Sequence, residues 1–191
     1  MNARLVGAAL IADALLIALE YAAVPAVAHL PTYALDLLRS LFALAVVTLD
    51  IIMAVGALIG EASVPTALGA VLLSISGLFV IEISSLSRLL PPGASPSLPL
   101  AAIALNSVLV LVGWALVALG LTLWYRRLVP ALFGLLMVTG VALTSLELLA
   151  FVARPTSSVL STIGRIQTVA LAVMAVGRAG LGIYTYLNPR R

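Results

Sequence analysis

The sequence predicts an all-α protein, a polytopic membrane bundle of six transmembrane helices. The first observation is composition: of 191 residues, 63% are hydrophobic and 9% are charged, and the mean hydropathy is +1.25. A soluble domain carries about 25% charged residues, and one of this size could not cover so much apolar surface. The second observation is six apolar stretches, each long enough for the ~20 residues that cross a bilayer. The third is a pair of Gly and Glu at one spacing in three of these stretches.

The first three helices are predicted over about residues 5–27, 32–60 and 65–89. Pro31 separates the first two. Pro65 suits the first turn of the third helix, because the N–H that proline lacks would have no partner in that turn. The second helix is long for a bilayer, so we expect its first turns, with Asp36, to reach the lipid headgroups.

The first apolar stretch also resembles a secretory signal peptide, because residues 26–28 are Ala-Val-Ala, a small-residue cleavage pattern. Asp13 and Glu20 interrupt its apolar run, which is longer than the usual ~7–15 residues. We therefore expect this stretch to remain as the first transmembrane helix.

The last three helices are predicted over about residues 99–125, 130–153 and 157–187. A loop with three prolines and a glycine, residues 91–97, precedes them and is too short to link domains. Arg126 and Arg127 end the fourth helix, and Arg154-Pro155 breaks the chain after the fifth. Residues 1–191 are therefore interpreted as one six-helix domain.

Arginine placement predicts the orientation, since loops on the cytoplasmic side carry an excess of Lys and Arg. Six spans place both termini on one side, with Arg4, Arg126, Arg127, Arg190 and Arg191. The other side has Arg88 and Arg154, with Arg39 at its border. We expect a multi-pass protein of the cell membrane with both termini in the cytoplasm.

The composition argues against several functions. There is no Cys, so disulfides, thiolate metal sites and Cys nucleophiles are excluded. His29 is the only histidine and is predicted to lie in a turn, so paired-histidine haem or zinc ligation is excluded too. No basic stripe with interleaved aromatic residues indicates nucleic-acid binding. We expect neither a cofactor nor a metal, and we expect the protein not to be an enzyme.

A Gly followed thirteen residues later by a Glu occurs in the first, third and fifth helices: Gly7–Glu20, Gly69–Glu82 and Gly134–Glu147. This pattern suggests three repeated helical hairpins. Thirteen residues turn a helix by about 220°, so each Gly and Glu face different neighbours. We interpret the glycines as points of close helix approach. Gly56 and Gly60 form a second such site.

The polar side chains inside the apolar stretches fall into two layers. The layer nearer the non-cytoplasmic face contains three carboxylates and the donors opposite them: Glu20 with Arg39, Glu82 with Asn106, and Glu147 with Arg165, together with Gln167. The layer nearer the cytoplasm contains Asp13, Asp50 and Arg178. Helical spacing places Asp13 on the face of Glu20, Asp50 on that of Arg39, and Arg178 on that of Gln167. Asp50 has no cation that the sequence places beside it.

Each charge at bilayer depth costs at least ~2.5–3.5 kcal/mol on insertion scales. One interpretation is a polar path for a proton, a small cation or a small polar solute, which predicts a transporter or channel-like protein. The path would consist of these ten residues: Glu20, Glu82, Glu147, Asp50, Asp13, Arg39, Asn106, Arg165, Gln167 and Arg178. The other interpretation is ion pairs that set helix register, or arginines that only reach the headgroups.

The near absence of soluble segments and motifs leaves an alternative function open. It is a non-catalytic structural subunit, or a scaffold, of a larger membrane complex. The expected partners are the lipid bilayer and either other membrane subunits or further copies of this chain, with no nucleic acid.

Overall fold

The structure is a computed structural model that describes residues 1–27, 29–59, 63–89, 97–152 and 157–189. Over these residues the protein is all-helical, which confirms the predicted class. Its six helices are α1 (Ala3–Val27), α2 (Thr32–Leu58), α3 (Val64–Leu89), α4 (Ser97–Tyr125), α5 (Leu128–Val152) and α6 (Ser157–Leu187). Several residues used in the predictions lie outside the described part of the chain, either wholly or with their side chains. They are Gly60, Glu82, Arg88, Glu147, Arg154, Arg190 and Arg191.

The helix boundaries lie within two residues of the predicted ones, and three of the differences are at prolines. Pro65, Pro99 and Pro130 are the second or third residues of α3, α4 and α5, instead of the first. The N–H groups of a first helical turn have no partner within the helix, so proline is tolerated throughout that turn. At the other end, α2 stops at Leu58 because Ile59 is already extended, with φ −73° and ψ 124°.

Four helices are long and apolar enough to cross a membrane, judged over the residues whose placement is described. These spans are Tyr33–Leu58 in α2, Ala101–Tyr125 in α4, Leu128–Leu146 in α5 and Arg165–Leu187 in α6. The described part of α3 contains a shorter apolar helix, Val64–Phe79. In α1, three ionisable side chains interrupt the apolar stretch: Arg4, Asp13 and Glu20. The protein therefore has the helices of a membrane protein.

The helices form a closed ring in chain order. Each helix packs against its neighbours along the chain, and α6 returns to pack against α1. Backbone atoms join α1 and α2 at one end, where Asn2 N donates to Gly56 O at 2.7 Å. The start of α1 and the ends of α2, α4 and α6 consequently meet at the same end of the ring.

Glycines mark close contacts between helices, as predicted. A Cβ on Gly7 in α1 would lie 2.7 Å from Gly182 O in α6, and one on Gly69 in α3 would lie 2.5 Å from Gly113 O in α4. A Cβ on Gly134 in α5 would lie 2.9 Å from the Ala118 Cβ of α4. Gly134 thus packs against the preceding hairpin and Gly7 against the last hairpin, whereas Gly69 packs within its own hairpin. The three glycines therefore do not have equivalent neighbours.

The core lies in one half of the bundle, measured along the helix axes. This half contains the chain termini, and we call it the terminal half. Fully buried side chains there include Val6 and Leu10 of α1, Val117 and Leu121 of α4, and Leu181 of α6. We call the other half the distal half. There, no described side chain is buried over residues 15–20, 33–46, 101–106, 142–146 and 165–169. The helices therefore pack tightly in the terminal half and less closely in the distal half.

Candidate functional site

An ion pair between α1 and α6 lies inside the bundle. Arg178 Nη1 donates to Asp13 Oδ2. Both residues are nearly inaccessible, with relative exposures of 2% for Asp13 and 6% for Arg178. An isolated charge in such a place is very costly, so the two side chains depend on each other.

The guanidinium group of Arg178 has two further neighbours. Its central carbon lies 3.8 Å from the centroid of the Trp114 ring, in the geometry of a cation–π contact. Its Nη2 donates to the Met174 sulfur at 3.3 Å. Trp114 belongs to α4, so its ring reaches across the centre of the bundle from the side opposite α1 and α6. Arg178 is thereby held on three sides.

A second carboxylate, Asp50 of α2, completes the cluster with 2% exposure. Both Asp13 and Arg178 are close enough to act on it electrostatically. The structure therefore supplies the cation that the sequence did not place beside Asp50, and it comes from α6. We call Asp13, Asp50, Arg178 and Trp114 the central cluster.

The two carboxylates line a narrow crevice between α1, α2 and α4. It holds about 140 Å³ of space between atoms, none of it wide enough for a water molecule. Its lining consists of Asp13 and Asp50 with five apolar or aromatic residues: Ala9, Leu10, Leu49, Met53 and Trp114. The carboxylates thus share a small, narrow and largely apolar space.

Two buried polar atoms of the ion pair have no hydrogen-bond partner within the described part of the chain. They are Asp13 Oδ1 and Arg178 Nε. A buried ion pair is favourable only when further hydrogen bonds satisfy its remaining atoms. The pair is therefore incompletely satisfied, which is unusual for a purely structural contact.

The three charged residues lie at one depth. Ten residues precede Asp13 in α1, eight follow Asp50 in α2, and nine follow Arg178 in α6. At 1.5 Å per residue they are all about 12–15 Å from the same end of the ring. The hydrocarbon core of a bilayer is about 30 Å thick. The central cluster therefore lies near the middle of the helix bundle, at the boundary between its terminal and distal halves.

The outer layer of predicted site residues is not assembled in the same way. Glu20, Arg39, Arg165 and Gln167 are exposed. Although both are described, Glu20 and Arg39 form no ion pair with each other. The expected pairing of these two residues is therefore wrong, since one side chain per helix face does not determine which helices approach closely. The pairings of Glu82 and Glu147 lie outside the described residues.

Asn106 is the one donor of that layer with a described partner. It is partly buried, and its Oδ1 accepts a hydrogen bond from Ser76 Oγ of α3 at 2.7 Å. Ser76 and the neighbouring Ser107 are themselves buried. These three polar groups lie between α3 and α4, about two helical turns from Trp114 toward the distal half.

Sequence reasoning missed Trp114 and Met174. Trp114 could have been noticed because it lies in the interior of a helix, whereas membrane tryptophans are enriched at the two interfaces. Met174 is four residues before Arg178, hence one helical turn away on the same face. Neither spacing, however, shows that α4 and α6 approach each other across the ring.

Comparisons with protein-family models, with curated proteins and with solved structures find no match to this chain. Among the residues that the structure describes, no group of three or more His, Cys, Asp or Glu side chains could hold a metal ion. The central cluster therefore defines the chemistry of the candidate site. Fully ionised, its two carboxylates and one guanidinium carry a net charge of −1, which favours a positively charged ligand.

Proposed function

We propose that this protein is a six-span transporter or channel-like protein that moves a proton, a small cation or a small polar solute across the membrane. Asp13 and Asp50 would bind the ligand and Arg178 would balance their charge. The observation that carries this proposal is the incompletely satisfied, net negative cluster near the middle of the bundle. Hydrophobic residues of similar volume would be at least as stable in that position, and ionisable groups inside membranes commonly mark ion and proton pathways.

The uneven packing of the two halves supports the same function. In the terminal half, next to the cluster, the fully buried side chains of Leu10, Leu121 and Leu181 form an apolar seal. Tyr125 Oη, further toward the termini, donates to Thr185 O at 3.2 Å. We propose that a ligand reaches the cluster from the distal half and is held back by this apolar seal. The exposed Arg4, Arg126 and Arg127 support a cytoplasmic position for the sealed side under the positive-inside rule.

Replacing Asp50 with Asn should abolish flux. Asparagine keeps the shape but cannot become charged, so the cluster would no longer attract a cation or take up a proton. The measurement is flux of protons, alkali cations and a panel of small solutes into liposomes, once the unmutated protein gives a signal above empty vesicles. Flux through the variant should fall to the level of empty vesicles.

The matched control is Asp36→Asn, which removes a carboxylate from the same helix far from the cluster and should leave flux unchanged. Flux that survives in the Asp50→Asn variant would end the proposal. Glu82→Gln and Glu147→Gln test the predicted outer layer in the same assay.

Opening the seal should raise the rate of flux. Leu121→Ala removes a fully buried side chain between the cluster and the terminal end, so water can enter the apolar barrier. We expect at least severalfold faster flux in the liposome assay. Leu119→Ala is the control, because Leu119 lies on the same helix with 49% exposure. Equal rates in the two variants would show that the terminal half is not the barrier.

The second candidate function is a structural subunit of a larger membrane complex. It is favoured by the crevice, which in this state is too narrow even for water. A subunit of this kind should purify in mild detergent with partners in fixed proportion. Recovery of a stable particle that contains only this chain would count against it.

A further inference from the structure

We propose that the ligand of the central cluster is a proton, carried by Asp50. This inference rests on the proposed transport function and narrows its substrate class. A hydronium ion at the mouth of the crevice, on the side of the distal half, gives its proton to a carboxylate oxygen of Asp50, and the water that remains stays outside the crevice. An O–H bond of the hydronium ion breaks as an O–H bond forms on Asp50, and the Asp50 O–H bond breaks when the proton passes to another water molecule outside the crevice. The guanidinium group of Arg178 stays charged throughout.

The fully ionised central cluster needs one added positive charge to become neutral. Arg178 neutralises one of the two carboxylates, and the second leaves a net charge of −1 among buried side chains. Two like charges that share a buried site cannot both remain ionised without a large cost. A single proton makes the cluster neutral and adds no volume, so it fits a crevice that has no room for water.

A metal cation does not suit the same space. Hard cations such as Ca²⁺ take 6–8 oxygen ligands, and Mg²⁺ keeps several of its waters. Apart from Asp13 and Asp50, the side chains that line the crevice are apolar or aromatic. The backbone carbonyls of these helices are used in helical hydrogen bonds. Two carboxylates in a space too narrow for water cannot replace the hydration shell of a metal ion.

The geometry of the ion pair assigns the proton to Asp50 and not to Asp13. Asp13 Oδ2 already accepts a hydrogen bond from Arg178, so this oxygen has a partner. Its other oxygen, Oδ1, is buried without a partner. A protonated Asp50 is a hydrogen-bond donor, and it lines the same crevice as Asp13. The added proton therefore supplies the kind of partner that Asp13 Oδ1 lacks.

The groups that face Asp50 are accounted for on each helix packed against α2. From α1 comes Asp13, and Arg178 acts on Asp50 from α6. The described side chains of α3, residues 64–79, include no ionisable group. Proton binding at Asp50 is thus governed by the central cluster alone within the described part of the chain.

Infrared difference spectroscopy of the full chain in lipid vesicles tests the assignment directly. A neutral carboxylic acid has a carbonyl stretch that a carboxylate lacks, so lowering the pH should make such bands appear for the seven acidic side chains of the chain, and one of these bands should come from Asp50. Asp50→Asn should lose this band and Asp36→Asn should keep it. Asp50→Glu retains a carboxyl group and should keep the band at a shifted frequency, which covers the case in which the Asn variant fails to fold.

The outcomes separate this inference from the transport proposal. A set of carboxylic-acid bands that is the same in a folded Asp50→Asn variant as in the unmutated protein overturns the assignment to Asp50. If alkali-cation flux is nevertheless lost in the Asp50→Asn variant, the transport proposal is supported and the proposal that the ligand is a proton is overturned. A band assigned to Asp50 in a protein that transports nothing supports the proton site and overturns transport.

Discussion

Replacing Arg178 with Met should lower the free energy of unfolding by about 3–5 kcal/mol, the cost of removing one partner from a buried ion pair. The variant would leave Asp13 and Asp50 facing each other in an apolar crevice with no cation beside them. Met fits the volume, so lost charge and not lost packing should dominate the effect. Denaturant unfolding in detergent micelles measures it. Arg127→Met, at an exposed position, is the control and should change stability by less than about 0.5 kcal/mol.

A second substitution should restore much of that loss. Asp13→Asn combined with Arg178→Met removes both charges of the pair, so only Asp50 remains ionisable, and it can become neutral by binding a proton. The double variant should therefore be more stable than Arg178→Met alone. Additive losses in this double-mutant cycle would mean that Asp13 and Arg178 are not coupled, and would contradict the central cluster as described.

Replacing Gly7 with Val should separate α1 from α6 and open the ring. A Cβ at this position would lie 2.6 Å from Tyr186 N and 2.7 Å from Gly182 O. Both are backbone atoms, so a rotamer change cannot relieve the clash. Overpacking of this kind typically costs about 1–3 kcal/mol, and we expect the upper end of that range in the same unfolding experiment.

Ala8→Val is the matched control for this variant. Ala8 is the next residue of α1 and is exposed, so its added methyl groups meet no other helix and stability should hardly change. Equal stabilities of the two variants would show that α1 and α6 do not approach each other at Gly7.

The sequence alone was sufficient to predict the helices and their approximate ends. Apolar stretches of bilayer length indicate helices, because backbone groups in an apolar surrounding have to be satisfied within their own segment. Prolines and arginines then mark where each stretch stops. Glycine supported one further prediction, since the absence of a side chain at Gly7, Gly69 and Gly134 lets another helix approach closely. These are local properties, and each can be read from a single stretch of chain.

Spacing along one helix shows which residues share a face, but not which helix that face meets. Glu20 and Arg39 were expected to pair because they belong to one hairpin, yet both are exposed. Spacing put Asp50 and Arg178 in one layer but did not place any cation beside Asp50, and the structure shows that Arg178 is close to it in space. The spacing of Gly and Glu suggested equivalent hairpins, yet Gly69 packs differently from Gly7 and Gly134.

The sequence by itself thus determined the all-α class, the helix positions and the residues that would be costly to bury. Only the tertiary structure decided which of those residues come together in the central cluster. The physical reason is the closure of the ring: α6 packs against α1, which brings Arg178 to Asp13, although they are 165 positions apart in the chain. Trp114 crosses from α4 to cover the guanidinium group. Contacts between distant segments depend on how all six helices pack together, and no local pattern encodes them.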